Sequence, residues 1–376
     1  MRVLHVFKTY YPDSFGGIEQ VIFQLCSNMS RRGIQSDVLT LGCNHEQDAL
    51  EVDNHRVYRA KRDFEIASTG FSISAIRQLA ERAAYADIVH YHFPWPFMDI
   101  AHFVAKVKKP TVVTYHSDIL RQKFLYKMYY PLMHLFLADV HRIVATSPMY
   151  LATSQVLTHY RDKVDVIPIG LDKRSYPVPS AACRAVWRQR VGERFFLFVG
   201  AMRYYKGLHV LLEAVKGTEF PVAIVGAGPL EKGIRAHARQ LGLGNVMFLG
   251  PLSDKDKVAL LQLCYAIAFP SHLRTEAFGV SLLEGAMYGK PMISCQLGTG
   301  TSYVNIDGKT GLVVPPGDPA AFRGAMRHLW ENPVVAKSMG KQAEIRYRDK
   351  FTADKMVDDY ISLYQKLIDS ARIRGD

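Results

Sequence analysis

Pro270-Ser-His-Leu-Arg-Thr-Glu276-Ala-Phe-Gly-Val-Ser-Leu-Leu-Glu284 sets two carboxylates eight residues apart around an Ala-Phe-Gly corner. The apolar run Tyr265–Phe269 before it reads as a short strand, and Val280–Met287 reads as a helix. Glu276 then falls in the strand-to-helix loop, and Glu284 lies about a turn and a half into the helix. Between them the backbone N–H groups of Phe278, Gly279 and Val280 open the helix without intrahelical partners. That makes an anion site flanked by two hydrogen-bond acceptors. A diphosphate between two hydroxylated rings fits the layout, with phosphates on the amides and a ring beside each carboxylate. Nucleotide sugars are built that way.

Taken singly, Glu276 reads as a solvated loop residue and Glu284 as a helix-face or capping carboxylate. The spacing, the Phe-Gly corner and the following Gly285-Ala-Met-Tyr-Gly-Lys-Pro291 together override that reading. The segment strongly resembles the retaining glycosyltransferases of the large glycogen-synthase-like family 4, whose E-x7-E motif it matches. The resemblance covers nearly the whole chain.

Working outward, the same strand–loop–helix step recurs from end to end, which predicts parallel sheets covered on both faces. The first series of strands is Val3–Phe7, Asp37–Leu41, Ile88–Tyr91, Thr111–Tyr115, Ile143–Ala145 and Val164–Ile167. A second series is Phe195–Val199, Val222–Val225, Val246–Leu249, Ala266–Phe269, Pro291–Ser294 and Gly311–Val313. Residues 173–192, with Pro177 and Pro179, read as a linker. The expected division is an acceptor-binding domain 1–172, the linker, a nucleotide-sugar-binding domain 193–351 and a final helix in 352–376. The fold class is α/β. The family resemblance implies the glycosyltransferase B architecture: two Rossmann-like domains facing a cleft, with the C-terminal helix crossing back to the first.

At 376 residues the chain is long enough for two ordinary domains. With 48% hydrophobic and 22% charged residues its composition is globular, and no apolar run reaches the length of a transmembrane helix. Met-Arg-Val-Leu-His-Val-Phe7 reads as a first strand rather than a signal peptide. Cys26, Cys43, Cys183, Cys264 and Cys295 are scattered and never CxxC, so they read as reduced thiols of a cytosolic protein. The net charge of +12 fits an anionic membrane or an anionic substrate. No nucleic-acid-binding motif accompanies it, and nucleic acid is excluded as a partner.

In the second half, Phe198-Val-Gly200-Ala-Met-Arg203-Tyr-Tyr-Lys206-Gly207 ends a strand and opens a helix. Lys206 and Arg203 are candidates for neutralising a leaving diphosphate. The family places Arg directly after the first Gly and Lys five residues beyond it. Lys206 matches that lysine, Ala201 stands where the arginine is expected, and Arg203, two residues on, is the candidate to substitute for it. Ile224-Val-Gly226-Ala-Gly228-Pro lacks the third glycine of a dinucleotide fingerprint. The resemblance implies that Gly226 and Gly228 line the nucleotide pocket, and a structural role stands equally open. Asp254-Lys-Asp256 mimics a metal-binding DxD, but Ser253 ahead of a helix makes capping the better account, so no metal and no cofactor are expected.

In the first half, Tyr10-Tyr-Pro-Asp-Ser-Phe-Gly16-Gly17-Ile-Glu19 leads into a helix. Two glycines at a helix start permit close approach to phosphate or sugar. With the family match, Gly16 and Gly17 are expected to contact the donor diphosphate. Thr114-Tyr-His116-Ser117 aligns with the family's Thr-x-His segment, which implies that His116 hydrogen-bonds the transferred hexose. His90 and His92 are expected nearby. Arg121-Gln-Lys123-Phe-Leu-Tyr-Lys127-Met-Tyr-Tyr interleaves basic and apolar residues in a helix. It reads either as an ordinary surface helix with snorkelling lysines or as a membrane contact at the acceptor entrance.

The resemblance therefore implies a metal-independent, retaining hexosyltransferase with His116, Glu276, Lys206 and Arg203 at the reaction. Gly16, Gly17, Gly226, Gly228, Phe278, Gly279, Val280 and Glu284 would hold the donor, with Glu284 on the ribose. Phe7-Lys-Thr-Tyr-Tyr-Pro, Gly-Gly-Ile-Glu-Gln20 and Tyr91-His-Phe-Pro-Trp-Pro-Phe97 are similar to bacterial O-antigen mannosyltransferases. That implies GDP-mannose, a polyprenyl-diphosphate-linked glycan acceptor and a place on the cytoplasmic face of the inner membrane. The alternatives are a UDP-sugar donor, a nucleotide-sugar 2-epimerase of the same fold, and a non-catalytic glycan-binding descendant.

Overall fold

A computed structural model describes residues 1–42, 49–66, 69–119 and 123–374. The chain forms two compact units, one of residues 1–170 with 353–376, the other of residues 171–352. In the first unit the strands are β1 (Arg2–Val6), β2 (Gln35–Gly42), β3 (Ala49–Val52), β4 (His55–Lys61), β7 (Ile88–Phe93), β8 (Thr111–Tyr115), β9 (Arg142–Ala145) and β10 (Val164–Val166). A separate two-stranded ribbon is made of β5 (Phe64–Ile66) and β6 (Thr69–Phe71). The main sheet has the order β10-β9-β8-β7-β1-β2-β4-β3. All its pairings are parallel except the antiparallel edge β3–β4.

Burial explains why the central strands were legible. Every residue of β7 and β8 is buried, so both read as unbroken strand formers, covered by helices on two faces. β3 and β4, at one side of the sheet, were missed because they mix exposed and covered positions and carry Glu51, Arg56, Arg59 and Lys61. Helix Gly17–Ser30 packs against the C-terminal helix Ala353–Arg374, and Arg32 ties the second by ion pairs to Asp354 and Asp358. The last helix belongs to the first unit, as the architecture implied.

The second unit is a parallel sheet of β11 (Phe196–Val199), β12 (Val222–Val225), β13 (Val246–Gly250), β14 (Ala266–Phe269), β15 (Met292–Cys295) and β16 (Gly311–Val314). Its order is β13-β12-β11-β14-β15-β16. Succession therefore reverses between β11 and β14, and in such sheets ligands bind outside the carboxyl ends of the strands at that reversal. In the first unit the reversal lies between β1 and β7.

Residues 173–192 are not a link between the units; they belong to the second. Ser180 caps the helix Ala181–Val191. The Trp187 indole donates to Asp256 at 2.8 Å, Lys173 donates to the Met287 carbonyl at 3.1 Å, and Tyr347 donates to the Leu171 carbonyl at 2.8 Å. Pro177 and Pro179 mark a turn before a helix, which the sequence alone does not distinguish from a connector.

Candidate active site

At the reversal in the second sheet, the loop after β11 and the loop after β14 meet. Lys206 ends a short turn, Tyr204–Lys206, and its Nζ lies 2.5 Å from Glu276 Oε2. Ser271 donates to the same oxygen at 2.9 Å. Glu276 is only 7% exposed. Burial alone lowers the lysine's pKa, but the adjoining carboxylate outweighs it and holds the ammonium above its ordinary range. The Glu276 corner is pinned from below, since Thr299 Oγ1 donates to its carbonyl at 2.8 Å and Gly300 N to the Ala277 carbonyl at 2.7 Å.

Helix Val280–Met287 starts at Gly279, which is left-handed (φ 91°), and no side chain caps it. Leu282 N is taken by the Gly279 carbonyl at 2.9 Å, and no serine or aspartate covers the amides before it, the kind of helix start at which anions bind. Phe278 is buried against Gly300 and packs edge-on against Phe351 at 6.1 Å, so its ring anchors the corner while its backbone forms the turn. Glu284 is 5% exposed. It receives a hydrogen bond from the Tyr176 hydroxyl at 3.1 Å and pairs with Lys257 Nζ at 3.0 Å. Lys257 also reaches Asp254, 3.0 Å away, and its charge is held well above the usual lysine range by the two carboxylates despite burial.

Both carboxylates of the motif are therefore buried and each is ion-paired with a lysine. Sequence reasoning found Lys206 and missed Lys257 and Tyr176. Lys257 directly follows the Ser253–Asp256 segment, which was read only for its capping. The capping is real: Ser253 accepts from the Asp256 amide at 3.2 Å and donates to Asp256 Oδ2 at 2.6 Å. Tyr176 was concealed by the linker assignment.

Arg203 is exposed and makes no ion pair among the described residues. Gly226 (φ 125°) sits where a Cβ would overlap the Gly200 carbonyl oxygen, and Gly228 backs onto the Met202 backbone in the same way. Gly226 N donates to the Gly250 carbonyl at 2.8 Å and Met202 N to the Ala227 carbonyl at 2.9 Å. These two glycines seat the loop that carries Arg203 and Lys206 against the next strand end, which gives them a structural role whatever else they touch.

In the first unit, Gly16 is the N-cap residue and Gly17 the first residue of helix Gly17–Ser30, in the loop that follows β1. Buried Glu19 receives hydrogen bonds from Thr9 (2.9 Å) and Ser14 (2.7 Å), and a Cβ on Gly16 would strike its carboxylate. Glu19 thus shapes the glycine loop from inside. His116 follows β8 and is 5% exposed. Its Nε2 lies 3.0 Å from His92 Nδ1, and His92 Nε2 lies 3.1 Å from His5 Nδ1. His90 runs a separate line: Nε2 to Thr114 Oγ1 at 2.7 Å, Nδ1 to the Tyr364 hydroxyl at 2.7 Å, and Thr114 on to the Tyr360 hydroxyl at 2.6 Å. Burial holds all four rings neutral, lowering His5 and His116 to about 3 and His90 and His92 well below the usual range. His5, His90 and His92 lie close enough to hold a metal, but all their ring nitrogens except His5 Nε2 are taken by hydrogen bonds. His5 was not anticipated. Its signal was a polar side chain in the middle of an otherwise apolar first strand.

Arg121 lies outside the described residues, and the Lys123 side chain is not among those described. In helix Lys123–Asp139, Lys127 is exposed, while Tyr129 points inward and donates to buried Asp99. Exposed apolar side chains accompany Lys127: Phe124 (75%), Met128 (68%) and Leu135 (63%) follow one another at helical spacing. Among the described residues no helix is long and apolar enough to cross a membrane.

Residues 15–174 match the family described as Glycosyltransferase Family 4, and residues 181–346 match Glycosyl transferases group 1. The D-rhamnosyltransferase WbpZ of Pseudomonas aeruginosa is 61% identical over 94% of this chain and 93% of its own. The chain belongs to glycosyltransferase family 4. This glycosyltransferase is also 52% identical to the O-antigen chain mannosyltransferase C of Escherichia coli, over 98% of its own length and 100% of the relative's. A solved sucrose-phosphate synthase from Thermosynechococcus elongatus superposes with a TM-score of 0.81 at 19% identity, covering 98% of this chain and 99% of that one. That likeness establishes the shared glycosyltransferase B fold. It places the Lys206–Glu276 pair in a fold whose ligand sites lie at strand carboxyl ends.

Proposed function

We propose that this glycosyltransferase moves mannose from GDP-mannose onto a polyprenyl-diphosphate-linked glycan, in the assembly of O-antigen or a related polysaccharide. Transfer proceeds with retention and without a metal. The observation that carries the sugar-nucleotide reading is the buried Lys206–Glu276 pair at the reversal of the second sheet, beside an uncapped helix start. Mannose and an O-antigen chain rest on the likeness to the O-antigen chain mannosyltransferase, and the polyprenyl diphosphate on the motif resemblance given above.

An entering diphosphate competes with Glu276 for the Lys206 ammonium, and the carboxylate so released accepts hydrogen bonds from the hexose hydroxyls. Lys206, Arg203 and the amides around Gly279 take up the charge that develops as the sugar–phosphate bond breaks. Glu284, fixed by Lys257 and Tyr176, accepts from the ribose hydroxyls. His116 hydrogen-bonds the hexose, and Gly16 and Gly17 contact the diphosphate. The acceptor hydroxyl attacks from the face the diphosphate leaves, and a phosphate oxygen takes its proton. No protein nucleophile and no cofactor is needed.

The enzyme works as a peripheral protein on the cytoplasmic face of the inner membrane. Phe124, Met128 and Leu135 insert shallowly while Lys127 and the net charge of +12 favour anionic lipid.

A second reading follows from the relative of higher identity: the transferred sugar is D-rhamnose, which is mannose without its 6-hydroxyl. The test is a donor screen with GDP-mannose, GDP-D-rhamnose and UDP-glucose on a short polyprenyl-diphosphate-linked glycan, read by product mass. A mannose-sized increment with GDP-mannose supports the first reading and a deoxyhexose increment the second. Conversion of the sugar nucleotide without acceptor would make the protein an epimerase and overturn both.

A further inference from the structure

We infer that His5 and His92 are positioning residues that hold the His116 ring as an Nδ1–H hydrogen-bond donor; the consequence for transfer rests on His116 being a sugar contact, as proposed above. The three rings form one line of hydrogen bonds, His5 Nδ1 to His92 Nε2 and His92 Nδ1 to His116 Nε2. His5 and His92 are fully buried, and the rings stand 5.4 Å and 5.3 Å apart with small tilts of 29° and 19°.

A neutral imidazole carries one N–H, and each hydrogen bond needs one proton and one lone pair. His92 has both nitrogens engaged, so the position of its single proton fixes the other two rings. Only two arrangements result. In one, all three rings carry the proton on Nδ1: His5 donates to His92, His92 donates to His116, and His116 is left with a free Nδ1–H. In the other, all three carry it on Nε2, the line runs backwards, and His116 is left with a bare lone pair.

The far end of the line decides between them. His5 Nε2 is buried and has no partner among the described residues. The backward arrangement buries an unpaired N–H there, whereas the forward one buries an unpaired lone pair. Orphaned N–H groups are the rarer and more costly of the two. The forward arrangement follows. His116 therefore offers a donor to an oxygen lone pair and does not serve as a base, and its donor character is set from β1, two strands away in the sheet.

The test is a long-range proton–nitrogen correlation spectrum of the full chain labelled with 15N-histidine at neutral pH, assigned through His5→Phe and His116→Asn. Protonated Nδ1 and bare Nε2 on His5, His92 and His116 together support the inference, the more so because unconstrained histidine favours Nε2–H. Protonated Nε2 on His116, or an imidazolium, overturns it. In His92→Phe the single tautomer of His116 should be lost. Transfer should then fall roughly tenfold, one ordinary hydrogen bond, with a smaller change in the KM for donor. If that variant does not fold, the spectrum of the unaltered protein still decides. The two readings fail separately: unchanged transfer in His116→Asn removes the sugar contact, whereas the wrong tautomer removes the relay.

Discussion

Lowering the pH from 7 to 5 should destabilise the first unit much more than the second. Burial holds His5 and His116 at about 3 in the folded chain, whereas both titrate near the ordinary value of ~6.5 once unfolded. Below ~6.5 the unfolded state takes up protons that the folded state refuses, so their stability is intact above that pH and is lost as pH falls towards 3. At pH 5 each costs about 2 kcal/mol, and the pair about 4 kcal/mol. His90 and His92, equally buried and lowered, add to the loss. Asp99 opposes it, because burial raises its carboxyl and the folded state keeps the proton. A loss of about 4 kcal/mol is a large part of the ~5–15 kcal/mol that holds a domain together. With a urea slope of about 2.5 kcal/mol/M, the midpoint should fall by about 1.5 M. Hydrogen exchange by mass spectrometry across a urea series reads the units apart, through peptides covering β1, β7 and β8 against those covering β11 and β14. Equal shifts in both sets, or none, would refute the reasoning by showing that the histidines protonate in place.

Glu276→Ala should nearly abolish transfer in a protein that still folds, whereas Glu284→Ala should chiefly raise the KM for donor, as kinetics of the two variants will tell; equal small effects would reverse the assignments. Lys257→Ala leaves the Glu284 carboxylate buried and unpaired and should cost about 3 kcal/mol in urea unfolding of the second unit. Gly226→Ala forces a Cβ onto the Gly200 carbonyl at a positive φ and should cost about 3 kcal/mol, lowering the melting temperature by about 10 °C in calorimetry. Replacing Phe124, Met128 and Leu135 by Ser should weaken sedimentation with anionic vesicles and slow transfer to a lipid-linked acceptor more than to a soluble analogue; undiminished binding would make the stripe an ordinary surface.

How far the sequence was legible depended on whether a residue's neighbours in the chain were also its neighbours in space. The strand–loop–helix alternation and the segment around Glu276 are local patterns, and they gave both sheets and the family. Lys206 was reachable because it stands in the loop after β11, at the spacing from Gly200 that the family resemblance implies. Tyr176 and Lys257 come to Glu284 from segments 108 and 27 residues away in the chain, and no local pattern marks them. The same holds for Tyr360 and Tyr364, which read as apolar positions on a helix although their hydroxyls bond to Thr114 and His90. The basic residues of the Arg121–Leu132 segment suggested electrostatic contact with membrane. In the described part of that helix Lys127 is exposed beside Phe124 and Met128, while Tyr129, counted among the inserting aromatics, turns inward to Asp99.

The most direct test of the central claim is a transfer reaction with GDP-mannose labelled with 13C at C1, a polyprenyl-diphosphate-linked glycan and excess chelator. Product configuration is read from the anomeric carbon–proton coupling and GDP release is counted alongside. The account predicts one GDP per mannose transferred, release that depends on acceptor, an α linkage like that of the donor, and no loss of rate to chelator. A β linkage, release without acceptor, or a rate restored only by a divalent ion would contradict it.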